Sequence, residues 1–146
     1  MEQNNSDNLR ELIRILVRNL GILEKSDSFC CGTTISQCHA IVEIGRVDEI
    51  SLNELSDLLN LDKSTMSRTV NNLVEQNFVI RDAHSSDRRY LQIRLTQQGS
   101  KVYKTIEESM EVYYKNILNS ISEEKREQVL ESLLLLVDAV KNNKCC

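Results

Sequence analysis

The sequence predicts a mainly α protein with one small β-hairpin, and three observations support this. Apolar residues recur at i, i+3 and i+4 spacing over most of the chain, the signature of helices with one buried face. The stretch LNELSDLLNLDKSTMSRTVNNLVEQNF, residues 52 to 78, reads as two short helices joined by a tight polar turn. Directly after it, FVIRD and LQIRL are short β-prone runs separated by polar, turn-like residues. A hairpin attached to a helix-turn-helix is a wing. The expected architecture is therefore a winged helix-turn-helix with N- and C-terminal dimerisation helices.

Taken in order, Leu9, Leu12, Ile13, Leu16, Leu20 and Leu23 fall on one helical stripe, widened by Ile15, Val17 and Ile22. Ser6, Asp7 and Asn8 offer N-cap oxygens for that helix. A second helix is expected to open at Thr33 or Thr34 and run to Arg46, with Ile35, Cys38, Ile41, Val42 and Gly45 inward. Leu52, Leu55, Leu58 and Leu59 mark a third. NLDK interrupts it, and Asp62 or Ser64 can cap the next. That fourth helix buries Met66, Val70, Leu73 and Val74 and turns Ser64, Ser67, Arg68 and Asn71 outward, with Thr65 alongside. In the second strand, Leu91, Ile93 and Leu95 alternate with Gln92 and Arg94. A long helix then runs from about Thr96, its cap, to Asn119. A final helix, from Ser122 to about Asn142, carries Val129, Leu130, Leu133, Leu134, Val137 and Val140. Its apolar face is too wide for a lone terminal helix. The expected organisation is a single chain, 1–146, with a winged helix-turn-helix lobe over 48–95 and dimerisation helices over 7–25 and 96–142.

The 146 residues suit one domain, with apolar and charged fractions of 40% and 27% that are ordinary for a globular protein. No apolar run approaches the roughly 18 residues of a membrane span. The acidic, polar N-terminus does not resemble a signal peptide. The chain reads as cytoplasmic, without a membrane partner. Its net charge of −4 is unevenly placed. Residues 62 to 94 hold six basic and four acidic side chains, a local balance of +2, while the remainder holds 12 basic and 18 acidic. A basic central segment on an acidic body is compatible with a face for nucleic acid.

The segment DRRYLQIRLTQQG, residues 87 to 99, is similar to the wing signature of the MarR (multiple antibiotic resistance regulator) family: Asp and Arg two apart, an alternating strand, then Leu-Thr-x-x-Gly. LNELSDLLNLDKSTMSRTVNNLVEQNFVIR resembles the family's helix-turn-helix, and the order of elements matches over essentially the whole chain. The resemblance implies a homodimer on a pseudo-palindromic double-stranded DNA operator. Recognition helices would lie in successive major grooves and wings in adjacent minor grooves. It also implies repression relieved by a small effector, a metal or thiol oxidation. Residue chemistry points the same way. Ser64, Thr65, Ser67, Arg68 and Asn71 are short polar or cationic groups suited to base edges and phosphates. Arg89 matches the arginine that enters the minor groove, Asp87 would orient it, and Arg88 would meet a phosphate or solvent. Lys63 at a helix start meets the dipole unfavourably, which a phosphate neighbour or a tolerated surface lysine would equally explain, and His84 on the wing is expected to be solvated.

The cysteines raise a separate question. SFCCGTTISQCHAIVEIG packs Cys30, Cys31, Cys38 and His39 into ten positions, and Cys145 and Cys146 form a second pair of open role. In a reducing compartment five thiols suit a metal site, a redox switch or core filling better than a disulfide framework. Adjacent Cα atoms stand about 3.8 Å apart, below the disulfide range, so Cys30 and Cys31 pair poorly with each other. Both precede a helix start, which favours thiolate. Three sulfurs suit a thiophilic metal or metalloid ion, and His39 would complete a Cys₃His zinc set. The absence of Cys-x-x-Cys speaks against a zinc ribbon. Cys38 also sits on an apolar stripe, where a free cysteine is a common core residue. No cofactor is fixed by these residues. A thiol- or metal-dependent small enzyme is the alternative in another class, but two histidines 45 positions apart and no nucleophile–base set give it little to work with. A regulator of small aromatic ligands with structural cysteines, or a protein-binding adaptor, are the remaining readings.

Overall fold

The computed structural model describes residues 2–20, 33–83 and 91–145. The elements are α1 (Glu2–Asn19), α2 (Ile35–Gly45), β1 (Ile50–Ser51), α3 (Leu52–Leu59), α4 (Lys63–Glu75), β2 (Val79–Ala83), β3 (Leu91–Leu95), α5 (Gln97–Asn119) and α6 (Glu123–Asn142). The chain divides into two compact units, with the boundary between Ile106 and Glu107. Among the described residues no helix is long and apolar enough to cross a membrane.

In the first unit, α1 begins earlier than the capping pattern suggested. Ser6, Asp7 and Asn8 lie inside the helix rather than at its start. Asp7 pairs instead with Arg10 at 2.6 Å, one turn on, and these polar residues are tolerated because they are exposed. Leu23 falls outside the described residues.

The second helix opens where the sequence placed it. Thr34 is its N-cap: the Thr34 hydroxyl accepts from the Gln37 N–H at 3.2 Å, and the Gln37 side chain accepts from the Thr34 N–H at 3.3 Å. This reciprocal capping box satisfies two amides otherwise left without helical partners. Ala40 and Ile44 join Cys38 and Ile41 in the core, while Ile35 and Val42 are only half-buried.

Both helices of the helix-turn-helix end on an asparagine with positive φ. Asn60 (52°) and Asn77 (63°) take the left-handed conformation that ends the α-helix. After α3, Leu61 N–H reaches the Ser56 carbonyl at 3.0 Å and Asn60 N–H the Asp57 carbonyl at 3.3 Å. After α4, Phe78 N–H reaches Leu73 at 2.9 Å and Asn77 N–H reaches Val74 at 3.0 Å. Each pair of bonds is a Schellman motif, and the first is the physical content of the break at NLDK.

The hairpin becomes a three-stranded antiparallel sheet of order β1-β3-β2. β2 and β3 pair with Val79 opposite Leu95 and Arg81 opposite Ile93. The third strand, Ile50–Ser51, pairs Ile50 with Ile93. Two residues are too few to show a period, so the sequence reading passed over it. Fully buried Ile41 and Ile44 of α2, Leu55 of α3, and Met66, Val70 and Leu73 of α4 meet Val79 and Ile93 of the sheet. At roughly 1.5–3 kcal/mol per buried side chain, this shared core fixes α4 relative to the wing strands.

In the second unit, Tyr113 and Tyr114 meet edge to face, with ring centroids 5.2 Å apart and planes at 74°. Ser122 stands at the N-cap of α6 but makes no side-chain cap bond. The preceding turn is closed by Arg126, whose guanidinium donates to the Ile121 carbonyl at 3.0 Å. No residue of α6 is buried.

Candidate nucleic-acid interface

The site is built on α4. Its start is fixed by Asp62, whose carboxylate accepts from the Thr65 N–H at 3.2 Å. The Ser64 and Thr65 hydroxyls donate to the same carboxylate, each at 2.5 Å. The hydrogen bond from Ser64, then those from the Thr65 hydroxyl and amide, lower the Asp62 pKa to about 2. An ionised carboxylate at this end also meets the positive end of the helix dipole, offsetting Lys63 beside it.

Ser64, Arg68 and Asn71 are exposed. Their i, i+4, i+7 spacing places them in one row down the helix. Thr65 and Ser67 flank the row and are half-buried. The opposite face enters the core through Met66, Thr69, Val70 and Leu73. Thr69 was not foreseen as a buried residue; its hydroxyl reaches the Thr65 carbonyl at 3.1 Å, which is how a buried hydroxyl stays satisfied within its own helix. No described carboxylate pairs with Arg68, so its charge faces solvent unopposed. The part played by Asp62 beyond capping was likewise missed, because the turn of the two hydroxyls toward it is a matter of rotamers.

The wing strands carry a diagonal ion pair. Arg94 Nε and its terminal nitrogen lie 2.9 and 2.7 Å from one Asp82 oxygen, with both side chains half exposed. Arg94 therefore contributes less free positive charge than the sequence count implied. Asp87, Arg88, Arg89 and His84 lie outside the described residues.

Of the cysteine cluster, Cys30 and Cys31 also lie outside. Cys38 is buried, with its sulfur 2.9 Å from the Thr33 hydroxyl, whereas the adjacent His39 is exposed. These two neighbours do not face one site. Among the described residues no group of three or more His, Cys, Asp or Glu side chains could hold a metal ion. Cys145 is exposed; Cys146 is not described.

One cleft of about 470 Å³ opens beside the helix-turn-helix, between the end of α2, the end of β3 and the start of α5. Tyr103 covers Gly45 there, and Asp48, Glu49 and Arg94 supply charge at the rim. No sequence motif signals it, since its walls come from three separate stretches of chain.

Comparison with known proteins agrees with this geometry. A model of the MarR family matches residues 32–89. An HTH-type transcriptional regulator of Bacillus subtilis, YdgJ, is 26% identical over 113 residues, covering 77% of this chain and 69% of that protein. The HTH-type transcriptional regulator BilQ of Clostridium symbiosum is 24% identical over 115 residues, with 79% of each chain covered. Among solved structures, Streptococcus pneumoniae FabT in complex with DNA superposes with a TM-score of 0.77 at 22% identity, over 99% of this chain and 100% of that one. MepR of S. aureus, in a DNA complex, gives 0.78 at 19% identity, over 90% and 97%. Residues 32–89 are thus similar to the MarR family, and with the helix order and three-stranded sheet described above the chain shares the winged helix-turn-helix fold of these solved structures.

Proposed function

We propose that this chain is a DNA-binding transcriptional regulator that acts as a homodimer, represses transcription and is released by an effector. The observation that carries the reading is the solvent-facing row Ser64, Arg68, Asn71 on the second helix of a helix-turn-helix rigidly packed against wing strands. Such a row presents donors and acceptors along one face of the helix, with an unopposed cation for guanine or phosphate. Arg88 and Arg89 of the wing would add phosphate and minor-groove contacts. The family relatives that carry the name transcriptional regulator, and the two structural neighbours held on DNA, support the same role. An enzymatic role is not part of the proposal.

Dimerisation is supported by unpartnered apolar surface. Leu9, Leu12, Ile15 and Leu16 of α1 are 42–57% exposed, and Leu130, Leu133, Leu134, Val137 and Val140 of α6 are 41–63% exposed. A second copy would cover them and set two α4 helices about 34–36 Å apart, one turn of DNA. The reading is tested by anisotropy titration of pseudo-palindromic duplexes across salt concentrations. Arg68→Ala should weaken specific binding about tenfold. Affinity that is independent of salt and of this substitution would overturn it.

For the effector, a thiophilic metal, metalloid or oxidant acting on Cys30, Cys31 and Cys38 is one reading. The burial of Cys38 beside Thr33 favours a second, in which that cysteine is structural and a small aromatic ligand enters the cleft at Tyr103. DNA release by arsenite, zinc, peroxide and salicylate distinguishes them. Release by the first three that persists in a Cys30/Cys31/Cys38 triple serine variant rules out the thiol reading.

A further inference from the structure

We infer that Asp62 sets the polarity of base recognition by the first turn of α4: it holds the hydroxyl protons of Ser64 and Thr65, so both side chains meet DNA as acceptors and select cytosine or adenine. This rests on the DNA-binding reading above.

The geometry leaves little choice of proton. A hydroxyl has one proton and two lone pairs, and an ionised carboxylate can only accept. Both hydroxyl oxygens lie 2.5 Å from Asp62 oxygens, Ser64 at one and Thr65 at the other. Each must therefore donate inward and turn its lone pairs outward. Asp62 remains charged in neutral solution, since these same bonds hold its pKa at about 2. The Thr65 amide is also taken, at 3.2 Å. The Thr65 amide and both hydroxyl protons are thus committed to Asp62, and an anion already stands at this helix end.

Amino groups in the major groove belong only to cytosine N4 and adenine N6; guanine O6 and N7 and thymine O4 all accept. Facing an outward lone pair, guanine and thymine would oppose acceptor to acceptor. One turn later Arg68 can only donate, which suits guanine or a phosphate. The helix is thus sorted along its length, acceptors first and a donor after.

The test uses the full chain and two steps. Selection from a randomised duplex library identifies the bound site. The amino group is then removed one base at a time, using 2-pyrimidinone for cytosine and purine for adenine, and affinities are measured for wild type, Asp62→Ala and the Ser64→Ala/Thr65→Val pair. Wild type should lose at least about fivefold at one amino-bearing base near the start of α4. That loss should vanish in the hydroxyl-free pair. Asp62→Ala, with folding verified by circular dichroism, should accept guanine or thymine there within about twofold of the selected base. If wild type enriches a site but no amino removal depends on the two hydroxyls, this inference alone is overturned. If wild type enriches no site, the DNA-binding reading falls and this falls with it.

Discussion

Gly99 stands so close to Phe78 that a Cβ on it would lie 1.9 Å from the Phe78 carbonyl oxygen. That oxygen also accepts the Thr96 N–H at 3.0 Å, which ties it to the start of α5. The Thr96 hydroxyl in turn caps the helix, accepting the Gly99 N–H at 2.9 Å and donating to the Asn77 carbonyl at 2.7 Å. The Leu-Thr-x-x-Gly run is thus a joint: threonine fastens α5 to the end of α4, and glycine permits the approach. Gly99→Ala should cost about 3 kcal/mol in urea unfolding, because backbone must move. Gly45→Ala should cost less, about 1 kcal/mol, although its Cβ would meet the Tyr103 ring at 2.5 to 2.7 Å, since a ring can swing aside. Equal losses would contradict this distinction between backbone and side-chain neighbours.

The Asp62 cap makes stability depend on acid. Its folded pKa of about 2 is below the ordinary value of 3.8, so its contribution is present above the unfolded value. It is lost as pH falls from about 4 toward 2. Asp62→Ala should lower the melting temperature by a few degrees at neutral pH. Wild type and variant should converge as pH drops through that window. A gap that stays constant down to pH 2 would remove Asp62 as the source.

The two left-handed asparagines predict opposite responses to two small residues. Asn77→Gly relieves the positive φ and should be neutral or stabilising, while Asn77→Ala should destabilise by about 1 kcal/mol. Chemical denaturation of the two variants side by side reads the difference. Identical stabilities would mean the conformation is not maintained in solution.

The Arg94–Asp82 pair is half exposed, so its coupling should be small, about 0.2–1 kcal/mol, and should fade in 1 M salt. A double-mutant cycle with Arg94→Ala and Asp82→Ala measures it directly. A coupling unchanged by salt would indicate packing rather than charge.

On α6, Leu133→Lys with Leu134→Lys introduces two cations into an apolar stripe. Sedimentation velocity should show wild-type dimers and a variant shifted strongly to monomer. Each buried leucine is worth roughly 1.5–3 kcal/mol of association. A variant that stays dimeric would direct attention to α1 instead.

Much of this fold was legible in the chain itself, because periodicity and caps are local. The i, i+3, i+4 stripes located the helices, Thr34 and Thr96 capped the helices assigned to them, and the Met66, Val70, Leu73 face of α4 is buried as its spacing required. Ser64, Arg68 and Asn71 could be placed on the outer face for the same reason. Three features needed the folded molecule. The two-residue strand at Ile50 exists only through its pairing with Ile93. The start of α1 at Glu2 reflects polar residues that a solvent-exposed helix tolerates. The inward turn of the Ser64 and Thr65 hydroxyls depends on where the Asp62 carboxylate sits. Sequence determined which residues line the α4 surface, since a helix fixes direction every 3.6 residues. Tertiary structure decided which of their atoms are free to bind, since that turns on neighbours a few tenths of a nanometre away.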